Sequence, residues 1–389
     1  MRPRGPSLAA DNHGPTMKIV SVMTTSALGG AEFAATELLD ALAERGHRPV
    51  VLTDQATIGR GSRVRMSGID LGPKLSRASW PELMARWPQL FLRMRSALEA
   101  EWPYDVLLVH YKKEQLLAAE LPERLRSNLL WNEWGPVPYP LRRGFPRWLY
   151  VRSARAARVV MAVSEGTRSS LEDVGIPGRR IEVVPNALRT GEIRFDAEGR
   201  ERVRRQLGIP EDGFVVGCIS RFHPKKRNDV VVDAVSALDG GTHLIMAGGG
   251  ETEGALRARA APLGDRAHFL PTPGGDVSEV LSAFDVSVFC PSPTEGAPRA
   301  VIIAMLAERP CLATGAEGVV DMLDGDVGGI TSPENDPAAL AERLLEYMDD
   351  PERRRREGTL ARERAVGRYD ASVVAERAER LMLAPGDAR

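Results

Sequence analysis

The feature that most restricts this chain is its alternation of short β-branched apolar runs with longer amphipathic ones. In the first half the short runs are KIVSVMT, RPVVLT, VLLVH, LLWNE, VVMAV and IEVVP; in the second, FVVGCI, HLIMA, AHFL, VSVFC and PCLAT. Helical periodicity falls between them, notably over 31–44 and 80–99. Strands that alternate with helices predict parallel sheets with crossover helices packed on both faces. At 389 residues the chain exceeds one ordinary core and suits two domains. The expected fold is therefore α/β: two Rossmann-like, doubly wound domains facing each other across a cleft. Such sheets bind ligands at the carboxyl ends of their strands.

The polar stretch 188–201 lacks apolar periodicity and is the expected linker. It divides the chain into a tail without order at 1–16, an N-terminal domain at 17–190 and a C-terminal domain at 191–365, ahead of a final segment at 366–389. The stretch 337–383 reads as helical throughout. The run Arg353–Arg356, flanked by Glu352 and Glu357, predicts a solvated helix face.

A formal charge of −1 with both signs interspersed gives no overall electrostatic case for nucleic acid or an acidic membrane. Cys218, Cys290 and Cys311 are widely spaced, each within an apolar strand, and read as buried thiols in a reducing compartment. No run suits a bilayer span and no charged-then-apolar leader precedes the first strand, so the expected location is cytoplasmic. The helix over 80–95 interleaves Trp80, Leu83, Met84, Trp87, Phe91 and Met94 with basic residues. It suits either a membrane surface or packing on the sheet, and packing is the plainer account because Pro88 interrupts it.

The chemistry concentrates at strand ends. After FVVGCI comes SRFHPKKRND, which places Arg221 and Lys226 on one loop, while Lys225 and Arg227 are expected to point to solvent. After VSVFC comes PSPTEGAPRAVIIAMLA, in which Glu295 and Gly296 precede a helix expected over 300–307. Two cations on one loop and an acid on another suit a sugar diphosphate: charge for the phosphates, an acceptor for the hydroxyls. Gly30, in LGGAE, would let backbone approach a phosphate at the positive end of the following helix. LGGAEF lacks the full Gly-x-Gly-x-x-Gly spacing of a dinucleotide fold. Asp-x-Asp, which would argue for a metal, is absent from the strand ends.

Nearly all of 17–383 resembles the GT-B glycosyltransferases of the family 4 type (glycosyl transferases group 1). The likeness runs through SALGGAEFAATELLDALAERGHRPVVLT, VSEGTRSSLEDVGIPGRRIEVVPNAL, GCISRFHPKKRNDVVVDAV, LIMAGGGETEGALRARA and HFLPTPGGDVSEVLSAFDVSVFCPSPTEGAPRAV. It implies a retaining transferase that moves a sugar from a nucleotide diphosphate to a small hydroxylated acceptor, without cofactor or metal. It also implies a last helix that crosses back to the first domain. Arg221 and Lys226 match the pair that neutralises the leaving diphosphate. Glu295, Gly296, Ala297 and Pro298 match the segment that holds the donor sugar, although Pro298 offers no N–H. His110 falls where the family places a histidine facing the donor sugar, and Gly30 where it places the diphosphate. Glu133 and Trp134, at the next strand end, are acceptor-side candidates.

One position departs. Ile303 stands where the second glutamate of Glu-x7-Glu takes the ribose hydroxyls, and isoleucine accepts no hydrogen bond. A lost charged acceptor costs on the order of 1.5–3 kcal/mol. Another group takes the ribose, the donor is unusual, or nucleotide binding has weakened. Rival readings are an epimerase or pseudo-glycosyltransferase coupling enzyme on the same fold, and a binding-only homologue.

Overall fold

A computed structural model describes residues 15–25, 29–54, 62–238, 240–271, 277–293, 295–331 and 336–384. The expected tail therefore lies, over 1–14, outside the described residues. Seven strands form the first sheet: β1 (Lys18–Val22), β2 (Arg48–Thr53), β3 (Arg65–Gly68), β4 (Val106–Val109), β5 (Leu129–Glu133), β6 (Val159–Ala162) and β7 (Ile181–Val183). Six form the second: β8 (Phe214–Ile219), β9 (Thr242–Ala247), β10 (Ala267–Leu270), β11 (Val286–Phe289), β12 (Cys311–Thr314) and β13 (Gly328–Thr331). Their orders are β3-β2-β1-β4-β5-β6-β7 and β10-β9-β8-β11-β12-β13, with parallel pairing throughout.

In each sheet the chain winds outward one way and then returns to wind the other, so the order reverses between β1 and β4 and between β8 and β11. Helices diverge at such a reversal and leave a crevice at the strands' carboxyl ends. Gly30 and His110 follow β1 and β4; Lys226 and Glu295 follow β8 and β11. Topology alone thus brings the sequence motifs to the two crevices.

Each sheet is covered on both faces. The helix Trp80–Ala100 buries Leu83, Leu90, Met94 and Leu98 against Val20, Leu107 and Trp131 of the first sheet. The plainer account of that helix therefore holds. Cys218, Cys290 and Cys311 are buried free thiols, whose ionisation burial opposes. No helix among the described residues is long and apolar enough to cross a membrane.

The helical end comprises Pro337–Asp349, Pro351–Tyr369 and Ala371–Leu383. Ala371, Val374, Ala375, Ala378 and Met382 pack with Leu38, Leu39 and Leu42 of the helix Gly30–Glu44, so the last helix does cross back. The linker is shorter than the sequence suggested: a helix already begins at Ala197, capped by the Asp196 carboxylate on the Gly199 amide. Leu188 pairs with the returning chain, exchanging 2.8 Å backbone bonds with Tyr369 and Ala371. The two passages between domains lie side by side, the arrangement of a hinge. The arginine run also differs from expectation. Arg353 binds Glu357 and Glu346, and Arg354 packs over Phe214 and donates to the carbonyls of Tyr347 and Met348. Only Arg355 and Arg356 form a solvated face.

Candidate active site

On the C-terminal side, β8 runs into a turn whose shape is set by local bonds. The His223 ring accepts from the Lys225 amide, Pro224–Lys226 makes one 3-10 turn, and Arg227 takes a left-handed φ of 47°. This turn aims the Lys226 ammonium at Glu295, donating 2.9 Å bonds to both carboxylate oxygens. The same ammonium lies 5.1 Å from the Phe289 ring centre. Both side chains remain partly open to solvent, so the pair is worth on the order of 1 kcal/mol and a ligand can part it. Arg221 is exposed and has no ion-pair partner among the described residues. Lys225 points outward as expected, whereas Arg227 turns onto Asp229 of its own helix at 3.1 Å.

The helix after Glu295 spans Arg299–Leu306 with Pro298 at its N-cap and no capping side chain. Ile303 is 7% exposed and packed in an apolar cluster with Phe289 and Val301, so it offers the cleft nothing polar. One turn earlier, Arg299 spans the cleft. It donates to Glu37 at 2.8 Å, lies 5.9 Å from the Phe33 ring centre, and leaves its buried Nη1 without a partner. Glu37 is held in turn by the Arg189 amide at 2.9 Å. Gly30, Phe33 and Glu37 recur at helical spacing, so a single face of the Gly30–Glu44 helix meets Arg299.

Gly30 itself is exposed and is the first helical residue. A Cβ there would find only the Arg299 Cβ, at an ordinary 3.5 Å, and its φ is not positive. Neither crowding within the fold nor backbone strain requires glycine at this position. Gly296 is different. A Cβ there would come 2.3 Å from the Trp134 carbonyl oxygen, so this glycine lets the two domains touch. Asn186 donates to the Ala297 carbonyl at 2.6 Å, and Asp321 accepts from the Glu165 amide at 2.9 Å, across the same boundary.

The N-terminal side is far more enclosed. His110 follows β4, is 2% exposed, and stacks on Trp134 with ring centres 5.6 Å apart. Its Nε2 bonds to Ser21 at 2.7 Å, and its Nδ1 has no partner. Burial pushes its pKa down to about 3, so the imidazole is neutral at physiological pH. Glu114, wholly buried, accepts from the Thr24 hydroxyl and keeps Oε2 unpartnered; burial raises its pKa to about 7. Glu133 is satisfied from within: Lys112 donates to one oxygen and Tyr150, at 2.7 Å, to the other. Burial lowers the Lys112 pKa against the opposing pull of Glu133. Trp134 also keeps its Nε1 without a partner. Thr24, Lys74, His110, Glu114, Glu133 and Trp134 line a cleft of about 190 Å³.

The structure thus joins Lys226 with Glu295, and His110 with Trp134 and Glu133 around one cleft, while Gly30 faces Arg299. Sequence reading missed Glu114, Lys112, Tyr150 and Arg299. The signal for the first two was present: YKKE follows VLLVH directly, a charged run at a strand's carboxyl end. Arg299 is the one charged residue within RAVIIAML, an apolar helix that a purely packing role does not require to be charged. Tyr150 had no signal, because its helix reads as ordinary cover. Among the described residues no cluster of three metal-ligating side chains occurs.

Comparison with known proteins finds the Glycosyltransferase Family 4 domain over residues 28–192 and the Glycosyl transferases group 1 domain over 199–364. The chain belongs to the GT-B glycosyltransferases of the family 4 type. It is a transferase. Among its relatives is the 2-deoxystreptamine glucosyltransferase of Streptomyces kanamyceticus, 27% identical over 347 residues, covering 80% of this chain and 87% of that protein. Another is the D-inositol 3-phosphate glycosyltransferase of Xylanimonas cellulosilytica, 26% identical, covering 92% and 95%. The GT-B architecture matches Anabaena Alr3699/HepE, solved with UDP-glucose, at a TM-score of 0.80 and 20% identity, over 94% of this chain and 99% of that one. Sucrose-phosphate synthase from Thermosynechococcus elongatus matches at 0.77 and 19% identity, over 94% and 98%.

Proposed function

We propose that this glycosyltransferase moves a sugar from a uridine-diphosphate donor to a small polyhydroxylated cyclic acceptor, with retention of anomeric configuration. The observation that carries the reading is the bidentate Lys226–Glu295 pair, on the loops that follow β8 and β11. A diphosphate entering between them takes over Lys226 and the open Arg221. Glu295 is then released to accept hydrogen bonds from donor-sugar hydroxyls, beside the backbone of Gly296, Ala297 and Pro298. Binding thus exchanges one internal ion pair for two ligand contacts, and the cations stabilise charge on the leaving group without a metal. UDP-glucose in the Anabaena neighbour supports the donor class.

Arg299 replaces the missing ribose glutamate. Its unpartnered Nη1 N–H offers a donor where the family offers an acceptor, and Glu37 fixes its direction. Ribose hydroxyls accept as readily as they donate, so the contact reverses polarity without being lost.

On the acceptor side, the unpartnered groups on Glu114 and Trp134 are high-stakes atoms in a buried wall, and a polar ring can satisfy them. Trp134 supplies an apolar face as well. The cyclitols named for the two relatives support this class, and the aminocyclitol supports a place in specialised metabolism. The departing phosphate takes the acceptor proton, so no side chain acts as a covalent nucleophile. Neutral His110 orients the donor sugar. Three reduced, buried thiols support a cytoplasmic setting. The test is to incubate UDP-glucose with a panel of cyclitols and aminocyclitols and read the product's anomeric configuration by NMR. An axial product supports the proposal. An inverted product removes the retaining mechanism, and no acceptor-dependent release of UDP with any sugar donor removes the reaction.

A further inference from the structure

The near-neutral total charge conceals one lopsided region. Between Trp134 and Ser164 there is no Asp or Glu, yet Arg142, Arg143, Arg147, Arg152, Arg155 and Arg158 all occur. The helix Gly144–Ala154 lies in the middle of this stretch and has no acid in its first turn. Its inner side gives Tyr150, Ser153 and Ala154 to the domain core. Its outer side carries Phe145 and Trp148, which stack with ring centres 5.5 Å apart. Phe145, Tyr139 and Trp148 are 66%, 65% and 57% exposed, the most exposed aromatic residues among those described. Isolated exposed apolar groups need no explanation, but a stacked, water-exposed aromatic pair with a third exposed ring just ahead of the same helix does.

Two adjoining grooves run beside these rings. One, about 440 Å³, is lined by Arg147, Trp148, Arg152 and Arg155; the other, about 280 Å³, by Arg155, Arg179 and Arg180. Arg152 pairs with Glu120, and Arg147 and Arg180 donate to backbone carbonyls. Arg143, Arg147, Arg155, Arg179 and Arg180 meet no carboxylate in any described ion pair, so the positive charge of this face is not neutralised from within.

We propose that this face docks the N-terminal domain on an anionic bilayer surface: Arg143, Arg155 and the grooves take lipid phosphates, and Tyr139, Phe145 and Trp148 enter the headgroup layer. Exposed aromatic rings flanked by uncompensated arginines would place apolar rings at the headgroup boundary and cations at the lipid phosphates. Charge complementarity selects an anionic surface over a zwitterionic one. The face is continuous with the acceptor wall, since the same helix supplies Tyr150 to Glu133, and Pro138 of the cleft leads directly into Tyr139. The transferase would therefore work at a membrane with its acceptor cleft beside the surface. This inference does not depend on the identity of donor or acceptor.

The test is co-sedimentation of the full chain with vesicles of phosphatidylglycerol mixed with phosphatidylcholine, against phosphatidylcholine alone, at low and high salt. Binding to the anionic vesicles that falls with salt is expected, with little binding to the zwitterionic ones. Arg143→Gln/Arg155→Gln should weaken it by roughly 20-fold, about five-fold for each cation lost. Phe145→Ser/Trp148→Ser should weaken it again at fixed charge. All four side chains are at the surface, so unchanged circular dichroism and melting temperature are expected for both variants. Absence of binding at low salt overturns the proposal, and so does equal binding by wild type and both variants. Stabilisation by inorganic phosphate with no vesicle binding would make the grooves a free-anion site, and concentration-dependent self-association without vesicle binding would make the face an interface between copies; either contradicts a membrane.

Discussion

The two walls of the cleft solve opposite problems. On the C-terminal wall the charges sit on loops, partly open to water: Lys226 holds Glu295, and Arg221 is exposed with no ion-pair partner among the described residues. On the N-terminal wall the groups sit at strand ends or in the helix that follows, nearly dry, and are fixed by neighbours within the fold: Ser21 behind His110, Thr24 behind Glu114, Lys112 and Tyr150 behind Glu133. An anionic donor with its own charge can exchange ion pairs at low cost in a wet site. For the proposed acceptor, the drier wall is ordered beforehand and leaves single hydrogen-bonding positions open.

The comparison breaks first at Lys226. Lys226→Ala should lower kcat/KM by about 10²–10³-fold, because it removes a cation from the leaving group. Steady-state kinetics that show less than tenfold would mean the wet wall carries little of the transition-state charge. His110→Ala should cost on the order of tenfold to a hundredfold in turnover, with melting temperature checked in parallel. A loss confined to KM would reassign His110 to binding alone.

Arg299→Ala sharpens the comparison, since Arg299 reaches from the wet wall to the dry one. UDP affinity should fall by roughly 10- to 100-fold, the loss of a charge-assisted bond. The preference for UDP over its 2′-deoxy counterpart should shrink in the same variant. Equal losses for both nucleotides would show that Arg299 reads phosphate and not ribose. Tyr150→Phe is expected to act more mildly, raising the acceptor KM a few-fold while the donor KM stays fixed.

The smallest effect is on stability and has a definite sign. His110 has a folded pKa of about 3 against 6.5 for a free imidazole. Below 6.5 the unfolded chain takes up a proton that the folded one refuses. This contribution is therefore intact above pH 6.5 and falls by about 1.4 kcal/mol per pH unit down to about pH 3. Glu114 works in the opposite sense: its pKa is raised to about 7, so its cost to the fold appears as pH rises from about 4.5 towards 7. Urea titrations of His110→Asn and wild type between pH 7 and about 5 should diverge, with the variant less sensitive to acid. Parallel curves would place water around His110.

Most of the fold was legible because its strands are apolar on both faces. The two strands that escaped notice show the limit. β3 is RMSG and β13 is GGIT, edge strands too polar or too rich in glycine to announce themselves, and only pairing with β2 and β12 creates them. The site divided along the same line. Lys226 and Glu295 stood out in sequence because a charge after an apolar run is conspicuous, whereas His110, a lone histidine at a strand end, stood out only through the family resemblance. Tyr150 gave no signal and Arg299 only its charge in an apolar helix, since what matters about both is which distant residue they meet. Net charge misled in a similar way: averaging over the chain concealed the arginines between Trp134 and Ser164.

The most direct test of the central claim is calorimetric titration of the purified protein with UDP, repeated on Lys226→Ala. Saturable binding by the wild type is expected despite Ile303, with its loss or severe weakening in the variant. Undiminished UDP binding by Lys226→Ala, or none by the wild type at millimolar concentration, would contradict a nucleotide-diphosphate site on the Lys226–Glu295 pair.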